Sequence, residues 1–103
     1  MSARFAAYRA FCEAVSCAEC TLPAPARLVV LSIAFMVHEG ETFAVEALGR
    51  YAAMSPRTVQ RYLRLLQERC GEDPIAFAED VITGKRAVDE WTKALVTHGG
   101  RVG

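Results

Sequence analysis

The stretch LVVLSIAFMV, residues 28–37, constrains the fold more than any other part of the chain. Its ten residues include one serine, and wound at 3.6 residues per turn they present almost no polar face. A helix that spans a bilayer needs about 20 apolar residues, so a run of this length is expected to be a buried core helix wrapped by its neighbours. Hydrophobic residues make up 52% of the 103-residue chain, enough for a core in one small domain covering 1–103 and too many for a disordered chain. The N-terminal stretch MSARFAAYRAFCEAVSC is amphipathic, carries Glu13 and lacks an unbroken apolar segment, so it does not read as a signal peptide. The expectation is a cytoplasmic protein with reduced thiols and no membrane partner.

Around the apolar run, stop and start signals divide the chain. Phe5, Tyr8, Cys12 and Val15 recur at helical spacing and predict an amphipathic helix from Ala3 to about Cys17. The prolines of TLPAP, residues 21–25, break it. The core helix then covers roughly 26–38, with Gly40 available as its left-handed end. Val45, Leu48 and Ala52 share one side of a shorter helix over 44–52. Ser55 is a good N-cap and Pro56 suits the first helical position, so a helix is predicted to run to Cys70 and stop at Gly71. Asp73 and Pro74 repeat that signal before PIAFAEDVIT, which Gly84 can close. Val88, Trp91 and Leu95 mark a last helix, which ends at Gly99–Gly100. The predicted fold is all-α, a small domain of six helices. The alternative pairs IAFAEDVITG with KRAVDEWTKALV as a C-terminal β-hairpin, the wing of a winged helix; weak alternation and the cap signals favour helices.

Twelve basic and twelve acidic residues cancel, which argues against a general polycation. The distribution is uneven. Residues 49–70 hold Arg50, Arg57, Arg61, Arg64 and Arg69 against Glu68 alone, net +4, while 71–103 hold four basic and six acidic residues, net −2. On a helix over 55–70, Val59, Tyr62, Leu63, Leu66 and Cys70 form one stripe, and Arg57, Gln60, Arg61 and Arg64 form the opposite one. Like charges at such spacings cost about 0.2–0.5 kcal/mol per pair, so this face gains only when an anion arrives. Double-stranded DNA supplies the anion and a code: arginine forks onto guanine and glutamine onto adenine, each good pair discriminating by about 1–3 kcal/mol. Ser55, Arg57 and Thr58 sit at the helix start, where side chains and backbone N–H groups grip phosphates.

The segment VEALGRYAAMSPRTVQRYLRLLQE, residues 45–68, resembles the helix-turn-helix of bacterial and phage regulators and replication-initiation proteins. Leu48, Met54, Ser55, Thr58, Val59 and Leu63 match its pattern position by position. PARLVVLSIAFMVHEGETFAVEAL, just upstream, resembles the helix that precedes the motif in winged phage replication proteins; together the resemblance covers residues 26–70. It implies a supporting helix and a second helix that enters the major groove, with DNA contacts from Ser55, Arg57, Thr58, Gln60, Arg61 and Arg64. Two residues depart from the pattern. Gly49 stands where alanine is usual, which loosens the supporting helix by about 1 kcal/mol. Ala53 stands where glycine usually supplies a positive φ.

Cys12, Cys17 and Cys20 are spaced C-x4-C-x2-C, with Cys70 far downstream. Four thiolates can hold zinc, and the spacing coincides with that of plant-type [2Fe–2S] ferredoxins. That spacing works in an extended loop, whereas Cys12 lies in a helical pattern and Cys70 on a core-facing stripe. The expectation is therefore plain thiols and no cofactor, with zinc or iron–sulfur on these four residues as the alternative. His38 and His98 each stand near a glycine-containing helix end, where histidine complements the last carbonyls. No nucleophile or carboxylate is matched to them, so no enzyme is expected. Trp91 is expected to anchor the last helix on the core, the alternative being an exposed dimer face with Val88 and Leu95. Tyr51 is assigned equally to a phosphate contact or to packing. The function expected is sequence-specific DNA binding, as a homodimer, in transcription or in phage or plasmid replication. The alternative is an adaptor that sets the basic helix against an acidic partner; the acidic C-terminal segment offers a further protein contact.

Overall fold

The computed structural model describes residues 3–16 and 20–94, which form six helices: α1 Ala3–Ser16, α2 Ala24–Glu39, α3 Val45–Ala52, α4 Pro56–Cys70, α5 Pro74–Ile82 and α6 Val88–Thr92. No strand occurs among the described residues, so the β-hairpin alternative is not supported; the described part of that segment folds as α5 and α6. Cys17, Leu95, His98 and Gly99–Gly100 lie outside the described residues. No described helix is long and apolar enough to cross a membrane.

α2 begins two residues before its predicted start and takes Pro25 into its first turn. Proline is accepted there because the N–H it lacks would have no helical partner anyway. Arg27 fastens the entry: its Nε donates to the carbonyl of Leu22 at 3.0 Å and its Nη2 to that of Cys20 at 2.8 Å. At the other end Gly40 adopts φ 74°. Its N–H reaches Val37 and that of Glu41 reaches Met36, the paired closure that a left-handed residue allows.

α1, α3, α4 and α5 all pack on α2, as a helix with so little polar surface requires. Val29, Val30, Ile33, Ala34 and Met36 are fully buried. The enclosure is incomplete on one side, where Leu28 remains 49% exposed and Phe35 38% exposed. Phe35 meets Tyr51 of α3 edge-on, with ring centroids 5.2 Å apart. His38, in the last turn of α2, stacks on Tyr8 of α1 at 4.3 Å.

A second cluster joins α1, α5 and α6. The indole of Trp91 stacks on Phe11 at 4.3 Å and meets Phe77 edge-on at 5.1 Å. Trp91 is fully buried and Val88 half-buried, so an exposed dimer face built on Trp91 is ruled out and its anchoring role stands. Arg86 covers the outside of this cluster. Its guanidinium lies 4.0 Å from the Phe77 ring and pairs with Glu72 at 2.8 Å and Glu90 at 3.1 Å, tying the start of α6 to the α4–α5 connection.

Replacing Trp91 by alanine removes the residue that three helices share. The expected loss is about 3–5 kcal/mol, a large part of the 5–15 kcal/mol of stability typical of a domain, roughly speaking. Urea unfolding followed by circular dichroism measures it, and an unchanged midpoint would show that Trp91 is not a core residue.

Candidate nucleic-acid interface

Residues 53–55 turn the chain from α3 into α4. Ala53 occupies the left-handed region, φ 59° and ψ 47°, the one non-glycine residue among those described with positive φ. An L-residue pays about 1–2 kcal/mol for that conformation. Gly49 lies directly against the turn. Its carbonyl accepts the N–H of Met54 at 2.9 Å, and a Cβ built on it would stand 2.5 Å from the Met54 carbonyl oxygen. Gly49 therefore does more than loosen α3: it lets the turn backbone approach closer than alanine would allow.

Ser55 caps α4. Its Oγ accepts the N–H of Thr58 at 3.2 Å and donates to Thr58 Oγ1 at 3.1 Å, and Pro56 follows at the first helical position. The cap occupies both hydroxyls with each other, and Thr58 is half-buried. On the inward side Val59 and Leu66 are fully buried, with Tyr62, Leu63 and Cys70 partly covered. On the outward side Arg57, Gln60, Arg61 and Arg64 are exposed and, with Thr58, border a shallow depression of about 330 Å³. Among the described residues no carboxylate lies within ion-pair distance of Arg57, Arg61 or Arg64. The guanidinium of Arg61 sits 5.3 Å from the ring of its neighbour Tyr62. The face is thus a row of arginines with no ion-paired carboxylate among the described residues.

Two other residues of the basic region have different duties. Arg69 donates from Nη1 to Thr21 Oγ1 at 3.0 Å, tying the end of α4 to the segment before α2. Tyr51 is exposed rather than in the core, and its hydroxyl donates to Glu41 Oε2 at 2.6 Å. That hydrogen bond, with smaller contributions from partial burial and the carboxylate charge, raises the tyrosine pKa.

The start of α5 adds residues that the sequence did not single out as functional. Asp73 caps α5 by accepting the N–H of Ile75 at 3.1 Å. With Pro74 and Ile75 it closes a recess of about 470 Å³ against Gln60, Leu63, Arg64 and Gln67 of α4. The Asp73–Pro74 pair signals a helix start, and only the folded chain brings that start beside α4.

The described cysteines are dispersed. Cys20 is buried ahead of α2, while Cys12 in α1 and Cys70 at the end of α4 are half-buried. No three of the described His, Cys, Asp and Glu side chains group to hold a metal. Burial raises the pKa of Cys12, Glu13 adds to the shift and a hydrogen bond with Tyr8 opposes it. Burial, reinforced by Glu72 and opposed by Arg86, pushes Cys70 up from 9.0 to about 12. Both environments favour the protonated thiol. No protein-family model, curated protein or solved structure matches the chain.

The turn makes opposite forecasts for its two small residues. Ala53→Gly relieves the left-handed strain at the cost of added chain entropy in the unfolded state, a net gain of about 0.5–1 kcal/mol. Gly49→Ala forces the turn outward and loses about 1–2 kcal/mol despite the better helix propensity. Thermal melts of the two variants should move in opposite directions; movement in the same direction contradicts this turn geometry.

Cys70 predicts a pH dependence. The folded chain keeps its proton up to about pH 12 whereas an unfolded thiol loses it near 9.0, so this group's contribution to stability is complete below pH 9 and falls as pH rises beyond it. Iodoacetamide at pH 8 should label Cys70 slowly in the native chain and rapidly in urea, as peptide mass spectrometry reads; equal rates would refute the burial effect.

Proposed function

We propose that α3 and α4 act as a helix-turn-helix and that the chain binds double-stranded DNA sequence-specifically, with α4 in the major groove, to regulate transcription or phage or plasmid replication. The observation that carries this reading is the outward face of α4: Arg57, Gln60, Arg61 and Arg64 exposed together, with no carboxylate paired to the arginines among the described residues. Such a face is self-repelling in isolation and gains from a polyanion. In the bound state Arg61 and Arg64 would contact base edges or phosphates, Gln60 would fork onto adenine, and Arg57 would hold the backbone near the helix start. Pro56 has no N–H and Ser55 accepts that of Thr58, so at the start of α4 the N–H of Arg57 would be the donor to a phosphate. One helix reads few base pairs, so the proposal includes a homodimer on a two-fold site. No catalytic residue is assigned.

A DNA titration across salt concentrations tests the reading. Replacing Arg61 and Arg64 by alanine should weaken binding at least about tenfold and, if both touch phosphate, reduce the slope of log affinity against log salt by about 1.8. Equally weak binding by both proteins with equal slopes would overturn the proposal and favour an acidic protein as the partner. Selection from a random DNA pool should return a palindrome; a site without symmetry would remove the homodimer.

A further inference from the structure

The recess between α4 and the start of α5 has a composition that DNA contact does not account for. Arg64 and Asp73, both exposed and opposite in charge, line the same recess of about 470 Å³. The two are not within ion-pair distance of each other. Gln60 and Gln67 add amides that both donate and accept. Leu63 and Ile75, which line this recess, also border a neighbouring apolar depression of about 140 Å³ together with Phe43 and Leu48.

We infer that this recess binds a small zwitterion with an apolar side chain, an apolar α-amino acid. The charge pattern selects the class. Arg64 suits a carboxylate, which it can fork onto; Asp73 suits an ammonium, because only one of its oxygens is engaged by the α5 cap. A purely anionic ligand would meet Asp73, and a purely cationic one would meet Arg64. The apolar side chain lies over Leu63 and Ile75, the apolar residues of the recess, and the amides of Gln60 and Gln67 satisfy the remaining polar atoms. The site stands apart from the DNA reading, but its regulatory consequence rests on that reading. Gln60 and Arg64 border both this recess and the outward depression of α4, so a bound amino acid withdraws two DNA contacts, and DNA weakens the amino acid by the same factor.

Calorimetric titration of the full chain with leucine and with phenylalanine tests the site, beside leucine's deaminated acid (4-methylpentanoate) and its decarboxylated amine (3-methylbutylamine). The expected result is saturable one-to-one binding of at least one amino acid with Kd of about 1 mM or lower. The acid and the amine should each bind at least about tenfold more weakly, since each leaves one charged group unpaired. Asp73→Asn keeps a helix cap and Arg64→Gln keeps a helix former, so both variants should melt as the parent does and lose at least about tenfold in amino-acid affinity. No saturable binding by either amino acid, binding unchanged in both variants, or equal affinity for the acid or the amine overturns the inference. DNA titration with and without saturating ligand separates the two claims. A chain that binds the amino acid and ignores DNA upholds this site and removes the DNA reading, and the reverse pattern does the opposite.

Discussion

The structure depends on a helix that cannot be left in water. Burying a side chain such as Val29, Ile33 or Met36 gains about 1.5–3 kcal/mol each, and α2 holds several within four turns. Helices of this kind have to be enclosed from several directions, and α1, α3, α4 and α5 supply the enclosure. The position of α4 follows from this. Its Val59 and Leu66 are claimed by the core, so the arginines on the opposite side of the same helix are forced outward. The functional face is fixed by what the other side of the helix must cover.

The turn before α4 applies the same logic at the scale of single atoms. A left-handed alanine persists only where its surroundings over-determine it, and here they do. The Met54 N–H is held on the Gly49 carbonyl, Ala52 is buried just before the turn and Ser55 is locked into a cap just after it. Glycine and alanine have exchanged the positions usual in the motif that this segment resembles. The close contact falls on Gly49, and Ala53 bears the strained dihedral, so the angle at which α4 leaves α3 is set by a tight backbone contact.

How much was legible in the sequence differed with the range of the interactions. Helix limits came through within about two residues where a cap and a proline act locally, as at Ser55–Pro56 and Asp73–Pro74. α2 began early because a proline in the first turn obstructs nothing. The division of α4 into an inner and an outer face was readable from its period. Long-range partners were not. Nothing local distinguishes Arg86, placed over Phe77 between two carboxylates, or Arg69, bonded to Thr21, from arginines left open to solvent. The recess beside α4 was invisible for the same reason, since it exists only where Asp73 and Ile75 at the start of α5 meet Arg64 and Leu63 of α4. A helix apolar on nearly all sides predicts enclosure all round, yet α2 leaves Leu28 and Phe35 partly exposed.

The stack of Trp91 on Phe11 joins the first helix to the sixth, and this bears on how the chain comes off the ribosome. Synthesis delivers α1 first, and domains fold as their parts emerge. Helices α1 to α5 can therefore gather round α2 while Phe11 and Phe77 still lack the indole that covers them. Until α6 has cleared the exit tunnel, the nascent chain carries an aromatic surface open to chaperones or to other nascent chains. A chain cut short before Trp91 would leave that surface open for good, and such a fragment should be removed by proteolysis or aggregate even though the basic helix α4 is intact.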